Sequence, residues 1–336
     1  MIYAWIMTAN LGLVVGPILS TYISTSPLGW RWVFYFAAIV SGVIACLLCW
    51  IRESRPSQLL QRKIAKVRLE TGDEELKILN PDVTPDVHTY IRVTLIRPLR
   101  LLFTEPIVIM TGTMSAVAFG VIYLFAEALP VTYASFGFSE RQSSLSFIPI
   151  GIGIICGFLP RLYDDWKTSA LQKQQIPIQP EDKLSGFYAA APILTLGLWW
   201  FSWVIPPLVH VHWIASLLAL VLVGFALNEF DCTLTGYVAD SYTIYAASAF
   251  ACLSLLRSLF SAVFPLFGHQ MFTAISPNAA SSILAGLATV FCASAYIFKR
   301  YGRVLRDRSA FARYSLQASL ENGLDNVEEE EGLELL

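Results

Sequence analysis

Residues 228–236 read Asn-Glu-Phe-Asp-Cys-Thr-Leu-Thr-Gly and place two carboxylates in an otherwise apolar run. On a helix Asn228, Asp231 and Thr235 share one face at i, i+3 and i+7, while Glu229, Thr233 and Gly236 share an adjacent one. Arg257 is the one charge between Ser241 and Phe298, and Glu127 closes an apolar run that begins at Pro106. Ionisable groups are costly in lipid, so each is a candidate for pairing with a substrate, carrying a proton or tying helices together. A helix entering the membrane near His212 would carry Glu229 about 25 Å inward, past the midplane and towards a water-filled cavity. There Glu229 and Asp231 would pair with a cationic or amphipathic substrate or take up a proton, or else only keep an inner vestibule wet. Arg257 is expected to face the bundle interior and pair with a carboxylate or backbone carbonyls. Glu127 either joins a site or reaches external water by snorkelling. Phe119, Tyr123, Phe125, Tyr237, Tyr242 and Tyr245 would wall a pocket for organic cations or simply pack, and Tyr123 and Tyr237 are the two retained as site candidates.

Such groups need long apolar elements to hold them. The 336 residues are 55% hydrophobic and 14% charged, with mean hydropathy +0.58, whereas soluble domains run near a quarter charged. A bilayer core of about 30 Å takes roughly 20 apolar residues per helix. Charge-free runs and their breaks predict eight spans, near 1–25, 30–51, 105–128, 143–163, 187–205, 212–238, 242–267 and 279–298. The fold class is therefore an all-α membrane protein. A cleaved signal peptide is a poor account of the first span, which lacks a basic leader and is followed at once by another.

Lys and Arg set the expected orientation, because basic loops stay on the cytoplasmic side. Residues 52–104 carry ten, residues 161–186 four and the tail from Lys299 six, while the opposite face holds Arg31 and Arg141. The central loop and the C-terminus are expected to be cytoplasmic. Within the loop, Leu60, Ile64 and Val67 alternate with Arg62, Lys63, Lys66 and Arg68, which predicts either an amphipathic helix on the inner membrane surface or a plain solvated linker helix. Glu328 to Glu331 read as a solvated acidic end.

Several chemistries are disfavoured. The net charge of -2 gives no basic face for nucleic acid. The six cysteines sit in apolar segments without CxxC or a His at metal spacing, and read as small buried hydrophobes rather than a disulfide framework or metal site. No Walker, GxSxG or HExxH sequence occurs, so the chain is not expected to be an enzyme, and no cofactor is expected.

Three stretches carry a resemblance. Gly12-x-x-x-Gly16-Pro17 is similar to the GxxxGP core of the antiporter motif in helix five of major facilitator superfamily drug exporters; the glycines let helices approach, and the proline lets the helix bend. Ser20 and Thr21 stand where the full motif has glycines. Arg52 to Glu75 resembles the start of the central loop in the fungal drug:proton antiporter branch, which includes polyamine and multidrug exporters. Tyr237 to Phe267 resembles its helix ten to eleven region, and Tyr123 to Val131 the end of its helix seven. Gly157-x-x-Pro160-Arg161-x-x-Asp164-Asp165 is similar to the family's weaker second copy of an inter-helix loop, where Asp164 and Asp165 would latch an inner gate or simply be solvated.

The resemblance implies an organisation. Residues 1–51 would be the last two helices of an N-terminal half, 52–104 the cytoplasmic central loop, 105–298 a complete six-helix C-terminal half, and 299–336 a cytoplasmic tail. The function implied is proton-coupled export of drugs, organic cations or polyamines by alternating access, in the plasma membrane, with small-molecule substrate, protons and the lipid bilayer as partners. The first four helices of the family pattern are not in this sequence. The rival expectation is a fragment without transport activity, acting as a structural or regulatory membrane partner.

Overall fold

The computed structural model describes residues 2–52, 56–72, 86–174, 180–209, 211–309 and 311–315. Among these there is no strand, and eight helical segments are long and apolar enough to cross a membrane, as the runs of apolar residues predict. The acidic segment 328–331 lies outside the described residues.

The chain separates into two compact units, residues 23–94 and residues 1–22 with 95–336. The smaller unit holds α2 (Arg31–Leu48), α3 (Pro56–Thr71) and α4 (Val87–Ile91). α2 is apolar on every side and buries none of its residues. Trp30 and Phe34 meet edge to face, with ring centroids 6.0 Å apart. α3 confirms a helix where the basic loop predicts one, yet its half-buried line runs through Gln58, Gln61, Ile64 and Val67 while Leu60 is exposed. A repeat of three rather than four residues selects the glutamines in place of Leu60.

The larger unit holds α1 (Ile2–Ser24, all but its last two residues), α5 (Arg97–Thr104), α6 (Pro106–Ala134), α7 (Glu140–Ser144), α8 (Phe147–Cys156), α9 (Phe158–Lys173), α10 (Ser185–Val204), α11 (Ile214–Ser241), α12 (Ala246–Ala274) and α13 (Pro277–Arg308). α11 is its centre, packed on α8, α10, α6 and α12, while α10 also packs on α13 and α6 on α12. α11 and α6 are the two spans with the largest buried share, which explains why both are apolar around most of their circumference rather than on one stripe. α13 runs on past residue 298 to Arg308 because Lys299, Arg300 and Arg303 continue the helix beyond the apolar run.

Close approach at the centre depends on glycine. A Cβ on Gly153 would strike the carbonyl of Val221 and lie 2.6 Å from the Phe225 nitrogen, and one on Gly224 would strike the Ile150 carbonyl. α8 and α11 therefore cross backbone to backbone, as small residues permit in lipid. Polar ties fix other helix ends. Asn278 donates to the carbonyls of Ser202 and Ile205, each at 2.7 Å, and Tyr133 and Ser216 share a hydrogen bond of 2.8 Å. Tyr242, in the turn between α11 and α12, donates to Glu105 at 3.0 Å. Burial, and then the Glu105 carboxylate beside it, push the Tyr242 hydroxyl above its ordinary value, so it stays a donor.

Candidate substrate and gating site

α11 supplies the two carboxylates, and their partners come from helices distant in sequence. Glu229 is fully buried. Its Oε2 accepts from Arg161 Nη2 of α9 at 2.5 Å. Arg161 also pairs with Asp164, one helical turn along α9, with Nη1 to Oδ2 at 3.0 Å. Ser185 at the start of α10 donates to the other oxygen of Asp164. The guanidinium lies 4.8 Å from the centre of the Tyr3 ring on α1, within cation–π range. One arginine thus joins α1, α9 and α11, and Asp164 extends the link to α10.

Two glycines make room for this cluster. A Cβ on Gly186 would collide with Arg161 Nη2 and Glu229 Oε2, and one on Gly157 would sit 2.6 Å from Asn228 Nδ2 and 3.2 Å from Glu229 Oε1. That second oxygen of Glu229 is buried and without a hydrogen-bond partner. A buried acceptor in this state is a place where a donor, whether a proton or a substrate group, gains free energy.

Asp231, a half-turn further, forms a second centre. It pairs with Arg257 of α12, so the arginine inside the span finds the carboxylate that its position requires. Arg257 also donates to Ser115 on α6 and Thr235 on α11, each at 2.8 Å, and lies 4.7 Å from the Phe119 ring centre. Asn10 of α1 is buried and donates to Asn228 Oδ1 at 3.1 Å and Asp231 Oδ2 at 3.4 Å. Asn228, Asp231 and Thr235 do face one way, as the i, i+3, i+7 spacing predicts.

A cavity of about 210 Å³ opens beside the first centre, lined by Tyr3, Ala4, Met7, Gly157, Phe158, Arg161, Asn228 and Cys232. Its walls come from α1, the turn between α8 and α9, α9 and α11, and its polar lining residues are Tyr3, Arg161 and Asn228. The structure therefore gathers Glu229, Asp231, Asn228, Arg257 and Asp164 into neighbouring networks. Tyr123 and Glu127 are exposed on α6 and do not line the cavity. Tyr237 is buried, packs edge-on against Phe298 and donates to Glu181 at 3.4 Å. The side chain of Asp165 lies outside the described residues.

On α1 the GxxxGP segment has open space around Gly12 and Gly16, where an added Cβ meets nothing within 4 Å. Ser20 and Thr21 both donate to the carbonyl of Pro17, at 3.0 and 2.9 Å. They bond back to their own helix where glycines would leave a bare surface.

Residue patterns overlooked three participants. Asn10 stands in the charge-free first run, and a lone amide among apolar residues is a signal that was there to find. Arg161 follows directly on a charge-free run and reads as a loop cation, but helix continues through it to Lys173. Tyr3 carries no sequence signal beyond being aromatic near a span end.

Comparison with known proteins bears on what such networks serve. Residues 2–265 match the model of the Major Facilitator Superfamily. The chain is 33% identical over 307 residues to "Efflux pump FUBT" of Fusarium oxysporum, covering 90% of this chain and 51% of that one. It is 30% identical over 305 residues to the major facilitator superfamily multidrug transporter FLU1 of Candida albicans, covering 90% and 50% respectively. It is 32% identical over 314 residues to the multidrug transporter TPO1_2 of Candida glabrata, covering 91% and 54%. The chain thus spans about half the length of these relatives. With eight apolar spans, charged networks buried at its centre and a family match over most of its length, the chain belongs to the major facilitator superfamily.

Proposed function

We propose that this chain supplies the C-terminal half, and the two helices preceding it, of a membrane exporter of small organic molecules that works by alternating access. The observation that carries the reading is the pair of buried carboxylate–arginine centres half a turn apart on α11, one of them opening on a cavity. A structural protein gains little from buried ion pairs, since their desolvation roughly offsets their attraction. A transporter gains charges that can change partner.

In this reading Glu229 carries either a proton or the positive group of a substrate, and Arg161 is its resting counter-ion. When a proton or a cation occupies Glu229, Arg161 retains Asp164 and stays paired. Opposed movement of the proton and the cation through one carboxylate gives antiport. Asp231 and Arg257 hold α11 to α12 and, through Asn10, to α1. Tyr123, Glu127 and Tyr237 are secondary candidates for contact with substrate along its path, and Asp164 and Asp165 for the inner gate. Gly12, Gly16 and Pro17 would let α1 approach its neighbours and bend. The names of the relatives support drugs as substrates; organic cations and polyamines follow from the acidic site. The plasma membrane, with the basic loop 52–104 and the tail cytoplasmic, is the proposed setting.

The test is accumulation of a cationic dye, a polyamine and a neutral antifungal in yeast stripped of its own exporters and expressing the protein. Cells with the protein should retain several-fold less of at least one probe than cells with an empty vector, and Glu229→Gln at equal membrane abundance should abolish the difference. Equal accumulation of all probes with and without the protein would overturn the reading.

A further inference from the structure

We infer that Tyr3 and Tyr22 are positioning residues for the transport cycle: they form two cation–π latches at opposite ends of α1, which open in alternation. Tyr3 stacks on Arg161 at 4.8 Å and Tyr22 on Arg141 at 6.0 Å. The two tyrosines are nineteen residues apart on one continuous helix, which is about 28 Å at 1.5 Å per residue. That is nearly the full thickness of a bilayer core of about 30 Å. The two arginines are twenty residues apart on the span Glu140–Ala170. Two elements therefore run side by side, each offering a matching half of a latch near each membrane face.

Between the latches α1 also touches α11 and the Glu140–Ala170 span. Asn10 bonds to Asn228 and Asp231, and the bare face of Gly151 meets Val14, whose Cγ1 would lie 3.2 Å from an added Cβ. Both ends are thus in contact at once. A central cavity reaches one side of the membrane only when one end of such a seam parts.

Each arginine has somewhere to go when its tyrosine leaves. Arg161 keeps Glu229 and Asp164, so parting the inner latch strands no charge. Arg141 is exposed at the opposite end and gains water. The latches differ in tightness as well, since 6.0 Å is the edge of the cation–π range and 4.8 Å lies well inside it. This inference rests on the alternating-access reading, with α1 in the half that rocks against α6 to α13.

The test is pulsed electron paramagnetic resonance on the full chain in lipid nanodiscs, with the native cysteines replaced. One spin-label pair reports the inner end (Trp5→Cys with Trp166→Cys) and one the outer end (Leu19→Cys with Leu145→Cys), all four positions being exposed. Each pair is expected to show a short and a long distance. Tyr3→Leu should raise the long inner population about 2- to 5-fold at the expense of the long outer one, the ratio that the ~0.5–1 kcal/mol of a cation–π contact yields. Tyr22→Leu should do the opposite. Tyr3→Phe and Tyr22→Phe, which keep the ring face, should resemble the parent. If two populations exist but both leucine variants move them the same way, or neither moves them, the latches are refuted while the transport reading stands. A single unchanging distance at both ends would overturn the latches together with the alternating-access reading beneath them.

Discussion

At the scale of single residues, Arg257 and Asp231 show how much a buried charge depends on its partner. Removing one partner leaves the other uncompensated, at a cost of about 3–5 kcal/mol, whereas removing both for apolar groups is nearly neutral. Arg257→Leu alone should therefore lower the unfolding temperature in detergent markedly, and the double variant Arg257→Leu/Asp231→Leu should recover most of the loss. A double variant as unstable as the single one would show that the pair does not account for the arginine. Gly186 makes a second case. Gly186→Ala introduces a methyl where Arg161 and Glu229 meet, and it should cut transport about tenfold or more while the protein still reaches the membrane in folded form. Normal transport would show that the pair has room to shift. The sequence reveals that Glu229, Asp231 and Arg257 lie inside spans, because a charge in an apolar run stands out. It does not reveal that Glu229 takes Arg161, which is 68 residues away, since which helices become neighbours leaves no periodic trace.

At the scale of helices, the crossing of α8 and α11 is fixed by backbone contact at Gly153 and Gly224. Gly153→Leu or Gly224→Leu would force the two helices apart by a side chain, with a cost beyond the 1–3 kcal/mol of ordinary overpacking. Either variant should shift the unfolding temperature well below that of Gly286→Leu, whose site has open space around it. Equal shifts in all three would contradict the close crossing. The spans themselves were legible, because apolar length is the dominant signal in lipid. Their ends were less so. α12 begins at Ala246 and reaches Ala274, where the apolar pattern suggested 242–267, since the short turn Thr243–Tyr245 separates it from α11 and Pro265 is accommodated within it. The expected span 143–163 likewise ends ten residues short of Lys173, where the helix that carries Arg161 stops, because hydropathy marks where a helix turns polar, not where it stops.

At the scale of the whole molecule, two charged centres meet on α11, one of the two most enclosed helices of the larger unit, and a cavity opens beside one of them. Family membership follows from the match over residues 2–265, and the sequence resemblance pointed to the same family through its central-loop and helix-ten stretches. The identity of the substrate leaves no comparable mark. The cavity beside the first centre is shaped by residues of α1, α9, α11 and the turn between α8 and α9, which come together only in the folded protein. The most direct test of the account is transport by the purified full-length protein in proteoliposomes, with a cationic dye inside and an imposed proton gradient. Dye movement driven by the gradient is expected, abolished by Glu229→Gln and strongly reduced by Arg161→Gln. Gradient-driven movement that persists undiminished in Glu229→Gln would contradict the claim that this carboxylate carries the exchange.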